Sequence, residues 1–217
     1  MMRARDLLRC RVICAGEGFG HVEGFLFDDA QWIVRYLRVV PEAGQEGRHA
    51  LVAPAAISTC DREARELHTD LSVLQFADSP AMRLPGELPR DEEMALVTHF
   101  GWPAYWADSP QLKGAAAEQR SEAAAATVTP PGVAQLRSLG TLCRCEALAC
   151  DGRVAGAVAD VFLDMTDWAV RYLAIAVEDR DEAMLAPPDW IRSADWDAGE
   201  LHFGVSSESL LTGPART

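Results

Sequence analysis

The cysteines and histidines are the residues of this sequence best suited to metal binding or nucleophilic chemistry. Cys143 and Cys145 are two residues apart, a spacing that would put both side chains on one face of a strand. The Cys-x-x-Cys spacing that is usual in structural zinc sites is absent, and we expect no bound metal and no cofactor. Buried, reduced thiols are the preferred interpretation, and a metal- or redox-responsive protein is an alternative. The six thiols are those of Cys10, Cys14, Cys60, Cys143, Cys145 and Cys150.

The polar residues form no recognisable catalytic motif. The histidines are scattered along the chain, and no Ser-His-Asp, His-Glu-x-x-His or Gly-x-Ser-x-Gly arrangement can be assembled. A glycine-rich stretch at residues 16–20 precedes a predicted strand, so it does not offer the free N–H groups of a helix N-terminus to phosphate. We therefore predict no catalytic residues and a protein that is not an enzyme.

Three large aromatic rings lie close together near the middle of the chain, at Trp102, Tyr105 and Trp106. Tryptophan and tyrosine dominate the energetics of protein interfaces, so an exposed segment of this kind would anchor a partner. The alternative is that the rings pack inside the protein, on the first domain or between domains, because exposed apolar patches are unusual in monomers.

Charge and composition restrict the classes of partner. The 217 residues include 20 Lys and Arg against 33 Asp and Glu, which gives a formal net charge of −13. Such a surface repels phosphate backbones, so we do not expect a nucleic acid partner. No stretch approaches the roughly 18 apolar residues of a spanning helix, and no apolar region follows the first arginines. We expect a cytoplasmic protein without membrane insertion.

An internal repeat organises the chain. Residues 20–37 align with residues 156–173 at a shift of 136 residues, and farther on the shift becomes 134. Cys14 falls on Cys150 when the first shift is extended backwards. We interpret the chain as a duplicated domain and assign a structural role to the aligned residues, which are Gly20, Asp28, Trp32, Arg35, Tyr36 and Pro54 in the first copy and Gly156, Asp164, Trp168, Arg171, Tyr172 and Pro188 in the second.

Local patterns predict a β-rich fold for each copy. Residues 21–27 and 32–40 are rich in β-branched and aromatic residues and flank a four-residue turn, which predicts a hairpin. Ser72 and Gln75 predict the capping box of a short terminal helix, and residues 91–100 predict one further helix. Residues 108–139 are rich in alanine and proline, as is typical of a linker.

These motifs resemble the PRC-barrel family. The resemblance lies in the G-x-V-x-x-F-x-F-D-D hairpin, the W-x-x-R-Y-L strand, the A-P-A-A-I turn and the closing D-L-S and S-P residues, over about residues 5–82 and again over about residues 140–215. Residues 100–106 resemble the aromatic segment that follows the first domain in tandem members. The resemblance implies a mainly β protein with two tandem small β-barrels at residues 1–82 and 140–217, each with a short terminal helix, and a connecting segment at residues 83–139.

What the resemblance implies about function is limited to binding. Related barrels occur in the H subunit of purple-bacterial photosynthetic reaction centres and in a ribosome-maturation factor, and neither is a conventional enzyme. We expect a non-enzymatic interaction or regulatory module that binds a protein partner or itself as a homo-oligomer, because edge strands must be covered. The alternatives are a ribosome- or RNA-processing-associated factor and a cytoplasmic factor linked to photosynthetic or electron-transfer complexes.

Overall fold

Strands dominate the protein, whose computed structural model describes residues 1–42, 49–80, 88–106, 135–178 and 180–211. These residues form two curled, seven-stranded sheets and a few short helices, so the prediction of a mainly β fold is confirmed. No helix in the described ranges is both long and apolar enough to cross a membrane.

The first sheet is built mainly from the N-terminal part of the chain. Its strands are paired in the order β5-β4-β3-β2-β7-β6, and the seventh strand of this sheet, β8, pairs with β3. The bounds are β2 Arg11–Cys14, β3 Glu17–Asp28, β4 Ile33–Pro41, β5 Ala50–Val52, β6 Ile57–Asp61, β7 Glu66–Thr69 and β8 Leu136–Ser138.

The second sheet has the same strand order. Its strands are paired as β12-β11-β10-β9-β14-β13, and β1 pairs with β10. Within the described ranges no pairing joins the two end strands of either sheet, so each sheet is curled but open. The bounds are β1 Met2–Arg3, β9 Glu146–Leu148, β10 Val154–Leu163, β11 Val170–Ala176, β12 Met184–Ala186, β13 Ile191–Asp195 and β14 Glu200–Phe203.

The helices are short and lie at the sheet margins. They are α1 Ala4–Leu7, α2 Val73–Ala77, α3 Arg90–Phe100, α4 Leu139–Leu142 and α5 Ser207–Leu211. The predicted capping box is present, because Ser72 Oγ accepts from the Gln75 N–H at 3.3 Å and Gln75 Oε1 accepts from the Ser72 N–H at 2.8 Å. Most of the predicted linker at residues 108–139 lies outside the described residues.

The aligned glycines of the two long hairpins are required by close strand approach. A Cβ atom on Gly20 would lie 2.2 Å from the carbonyl oxygen of Val40, and one on Gly156 would lie 2.1 Å from that of Ala176. Only glycine fits such a contact without displacement of the neighbouring strand. The aligned prolines instead begin short 3-10 turns, Pro54–Ala56 and Pro188–Trp190.

The first strand of each copy of the repeat pairs with the long hairpin of the other copy. Met2 of β1 is opposite Leu163 of β10, and Arg137 of β8 is opposite Phe27 of β3. Buried side chains of both sheets, Phe27 and Leu163 among them, belong to one continuous apolar core. The two sheets are therefore packed as one unit.

Candidate binding cleft between the two sheets

The two aligned tryptophans join the hairpins of the two sheets. Trp32 and Trp168 both have a φ of 58°, a left-handed conformation that is uncommon for a bulky residue. The Trp32 carbonyl accepts from the Val170 N–H at 2.7 Å, and the Trp168 carbonyl accepts from the Val34 N–H at 2.9 Å. This reciprocal pair of hydrogen bonds fixes one hairpin tip against the other.

A carboxylate holds each of these hairpin turns. Asp28 is completely buried, and its Oδ1 accepts from the Ala30 and Gln31 N–H groups at 2.9 and 3.1 Å. Its Oδ2 accepts from Arg35 at 3.0 Å. In the second hairpin Asp164 accepts from the Thr166 N–H, which with Arg171 lowers the pKa of that carboxyl. Both aspartates are thus occupied by turn and arginine contacts.

The aromatic segment packs on the outer side of the first sheet. Trp102 stacks on Phe100 with ring centroids 4.3 Å apart and lies 6.2 Å from the ring of Tyr36. The Tyr105 ring lies under the guanidinium of Arg35, whose central carbon is 3.9 Å from the ring centroid. The geometry is that of internal packing, with Trp102 and Tyr105 left half-buried.

Trp106, the third ring of the segment, is 8% exposed and lies under the guanidinium of Arg90, 4.4 Å from the ring centroid. The segment therefore contains two rings that reach the surface and one that does not. Only Trp102 and Tyr105 are placed to contact another molecule.

A buried polar cluster fixes helix α3 to this sheet. Glu93 is 1% exposed, accepts from the Tyr36 hydroxyl at 3.0 Å and pairs with Arg90 at 2.5 Å. Burial raises the pKa of Glu93, and burial together with the Glu93 charge raises the pKa of Tyr36. The sequence prediction missed Glu93, although it shares the helical spacing of the apolar residues Leu96 and Val97, which indicates a buried face.

Six of the residues singled out from the sequence line one cleft, which we call the junction cleft. Its volume is about 380 Å³, and the turn between β10 and β11 closes one side of it. The six are Arg35, Tyr36, Pro54, Trp102, Tyr105 and Trp168. The other aligned residues lie outside the cleft, and they are Gly20, Asp28 and Trp32 of the first copy and Gly156, Asp164, Arg171, Tyr172 and Pro188 of the second.

Most of the residues that line the junction cleft are apolar. Its walls consist of aromatic rings and aliphatic side chains, with Arg35 and Asp167 as the charged groups. Arg35 Nε is buried and has no hydrogen-bond partner among the described residues. A buried donor of this kind is costly to leave unpaired, and Arg38 Nε, outside the cleft, is unpaired in the same way among the described residues.

The cysteines do not form a site in the described residues. The predicted match of Cys14 with Cys150 is wrong, because strand pairing places Val12 beside Leu67 and Ala147 beside Leu201. Cys10 and Cys145 are the true counterparts, and each thiol donates to the backbone carbonyl four residues earlier at 3.5 Å.

The shared strand face predicted for Cys143 and Cys145 is also wrong, because Cys143 caps the end of α4. Burial raises the pKa of Cys14 to about 12 and that of Cys143 to about 11, which keeps both thiols protonated at neutral pH. In the described parts of the chain, no three His, Cys, Asp or Glu residues are grouped so that they could hold a metal ion.

Fold and cleft together define the class: a mainly β protein of two curled sheets with an aromatic, arginine-containing cleft where the sheets meet. No protein-family model matches the chain, and no curated protein matches it.

Proposed function

We propose that this protein is a non-enzymatic protein-interaction module built from two PRC-barrel-like repeats, and that the junction cleft binds a short segment of a partner protein. The observation that carries the proposal is the convergence of aligned repeat residues and the aromatic segment on one cleft. The common strand order of the two sheets supports the repeat interpretation.

The size and lining of the cleft favour a short extended peptide. A volume of about 380 Å³ accommodates a few side chains and is too small for a folded domain. The half-buried rings of Trp102 and Tyr105 offer flat apolar contact area.

The test uses two exposed residues that line the cleft from opposite sides, Ala55 on the first sheet and Thr166 on the second. Ala55→Arg and Thr166→Arg would each fill the mouth of the cleft without removing a core contact. Ala64→Arg, in the exposed turn between β6 and β7, is the matched control because it adds the same side chain elsewhere.

Each chain would be used for affinity purification from native cells, with captured proteins quantified by mass spectrometry. We expect one set of partners to be retained by the native chain and the Ala64→Arg control and lost from both cleft variants. Equal capture by all four chains would refute the junction cleft as the binding site. Ribosomal proteins among the lost partners would favour the ribosome-associated alternative.

A further inference from the structure

The first sheet has an outer apolar face that the chain itself covers. Leu26, Tyr36 and Leu51 on this covered face are at most 3% exposed and form an apolar cluster separate from the shared core. Helix α3 and the aromatic segment supply the cover, through Leu96, Phe100, Trp102 and Tyr105. The first sheet therefore shows which kinds of side chain can cover such a face.

The second sheet presents the same positions. Leu26 pairs with Tyr36 in the first hairpin, and Phe162 pairs with Tyr172 at the corresponding point of the second. None of the residues at the corresponding positions belongs to the shared core. They make up what we call the open face, and they are Met1, Phe162, Tyr172, Leu185 and Pro187.

The apolar residues of the covered face are buried, whereas those of the open face are half-buried apart from Met1, which is exposed. Leu136, which is opposite Asp28, is 7% exposed. Its counterpart in the second sheet is Met1, the residue before Met2, which is opposite Leu163. Met1 is 66% exposed. The side chain of Arg35 is 14% exposed, and that of its counterpart Arg171 is 45% exposed.

Tyr172 of the open face and its neighbour Arg171 lack the contacts that their counterparts make. The Tyr36 hydroxyl donates to Glu93, but no described residue forms a hydrogen bond with the Tyr172 hydroxyl. The Arg35 guanidinium lies over the Tyr105 ring, and no ring within the described ranges lies against Arg171, although Arg171 keeps the same aspartate pairing.

We propose that the open face docks a helix from another protein chain, one that carries an inward-facing carboxylate and is followed by an aromatic residue. The carboxylate accepts from the Tyr172 hydroxyl, as Glu93 does from Tyr36. The aromatic ring stacks on Arg171, as Tyr105 does on Arg35. Apolar side chains of the helix cover Phe162 and Leu185.

The stretches outside the described ranges cannot supply the aromatic part of this cover. All 7 Phe, 6 Trp and 3 Tyr residues lie in the described ranges, and none lies in the stretches between them. Trp102 and Tyr105 are engaged on the first sheet. A second copy could supply them only by uncovering its own first sheet, so a different protein is the occupant that the composition favours.

A synthetic peptide with the sequence of residues 88–106 is the probe for this chemistry. It carries the carboxylate of Glu93 and the rings of Trp102 and Tyr105, and its binding to the full chain would be measured by fluorescence anisotropy. We expect saturable binding below roughly 1 mM. Tyr172→Phe in the chain removes only a hydroxyl and should weaken binding about tenfold, as should Glu93→Gln in the peptide.

A double-mutant cycle locates the bound peptide. If the Tyr172 hydroxyl and the Glu93 carboxylate touch, the combined change weakens binding about tenfold and not about a hundredfold. Arg171→Ala should also weaken binding, whereas Arg153→Ala, an exposed change of the same charge, should not. The Ala55→Arg and Thr166→Arg variants should bind the peptide normally, which separates this face from the junction cleft.

Three results would overturn the proposal. The first is no binding up to roughly 1 mM peptide. The second is binding that Tyr172→Phe leaves unchanged, since the peptide would then sit elsewhere, for example in place of the chain's own α3. The third is light scattering that reveals a dimer of the full chain which Tyr172→Phe dissociates, since a second copy would then be the occupant.

Discussion

Two glycines of the first hairpin differ in what an added Cβ atom would contact. A Cβ on Gly20 would meet the Val40 carbonyl oxygen at 2.2 Å, whereas one on Gly18 would meet only the mobile end of Arg11 at 2.8 Å. We expect Gly20→Ala to lower the free energy of unfolding by about 2 kcal/mol or more, because backbone must move. Gly18→Ala should change it by less than about 0.5 kcal/mol, because an arginine end can swing away. Equal losses of the two variants in urea unfolding would contradict this account.

Glu93 predicts a pH dependence of stability. Burial raises its pKa, and the Arg90 guanidinium offsets only part of the rise, so the folded chain holds this proton more tightly than the unfolded chain. The stabilisation is present below the unfolded glutamate pKa of about 4.3 and is lost as the pH rises through the folded pKa. The difference in the free energy of unfolding between the native chain and Glu93→Gln should therefore fall as the pH rises above about 4.3.

Asp91→Asn is the control for that measurement, because Asp91 lies exposed in the same helical turn. The difference in the free energy of unfolding between the native chain and Asp91→Asn should not depend on pH in the way that the Glu93→Gln difference does. A native minus Glu93→Gln difference that stayed constant over the range would show that the Glu93 proton is held equally in both states.

At the residue scale the repeat located part of the cleft, since the aligned residues Arg35, Tyr36 and Trp168 line it. It misplaced the cysteines because the two copies differ by one residue in the turn before the long strand. Gly20 and Gly156 are 136 residues apart, but Cys10 and Cys145 are 135 apart. In a strand, a slip of one residue exchanges the two faces. Glu93 was missed because charged residues in a first helical turn ordinarily face water.

At the scale of elements, the short strand β8 depends on a side chain of the hairpin that it joins. Asp29 Oδ1 accepts from the Gln135 N–H at 2.9 Å, and its Oδ2 pairs with Arg137 at 3.3 Å. Asp29→Ala should release β8 locally and speed amide hydrogen exchange at residues 136–138 about tenfold, since a charge-assisted hydrogen bond is lost. Asp78→Ala, at the exposed end of α2, should leave that exchange unchanged. Unaltered exchange in the Asp29 variant would mean that packing alone holds β8.

Local sequence patterns were sufficient for the elements whose partners lie nearby. The β3–β4 hairpin closes through a four-residue turn, and the Ser72 cap of α2 and the backbone of helix α3 involve contacts within a few residues. The strands β1 and β8 have two and three residues, and each pairs with a strand from the other copy of the repeat. Their pairing is a long-range contact that propensity and periodicity do not encode.

At the scale of the molecule, the two sheets meet in the manner of a symmetric dimer. Ile33 is bridged to Ala169, its own counterpart 136 residues later, and each hairpin donates one hydrogen bond to the other. In an isologous interface the same surface appears on both partners and contacts are reciprocal. Because β1 and β8 also cross between sheets and one core spans both, separate unfolding of either sheet would break contacts of the other.

That coupling predicts how damage to one sheet spreads. A Cβ on Gly156, whose φ is +151°, would lie 2.1 Å from the Ala176 carbonyl oxygen, so Gly156→Ala strains only the second sheet directly. We expect the first-sheet amides of β4 to exchange faster by the same factor as those of β11, with a single urea transition at a lower midpoint. Val154→Ala, which trims an exposed side chain of the same strand, should leave both rates nearly unchanged. Faster exchange confined to the second sheet would show that each sheet folds alone, and that the reciprocal hydrogen bonds between the hairpins add little to either.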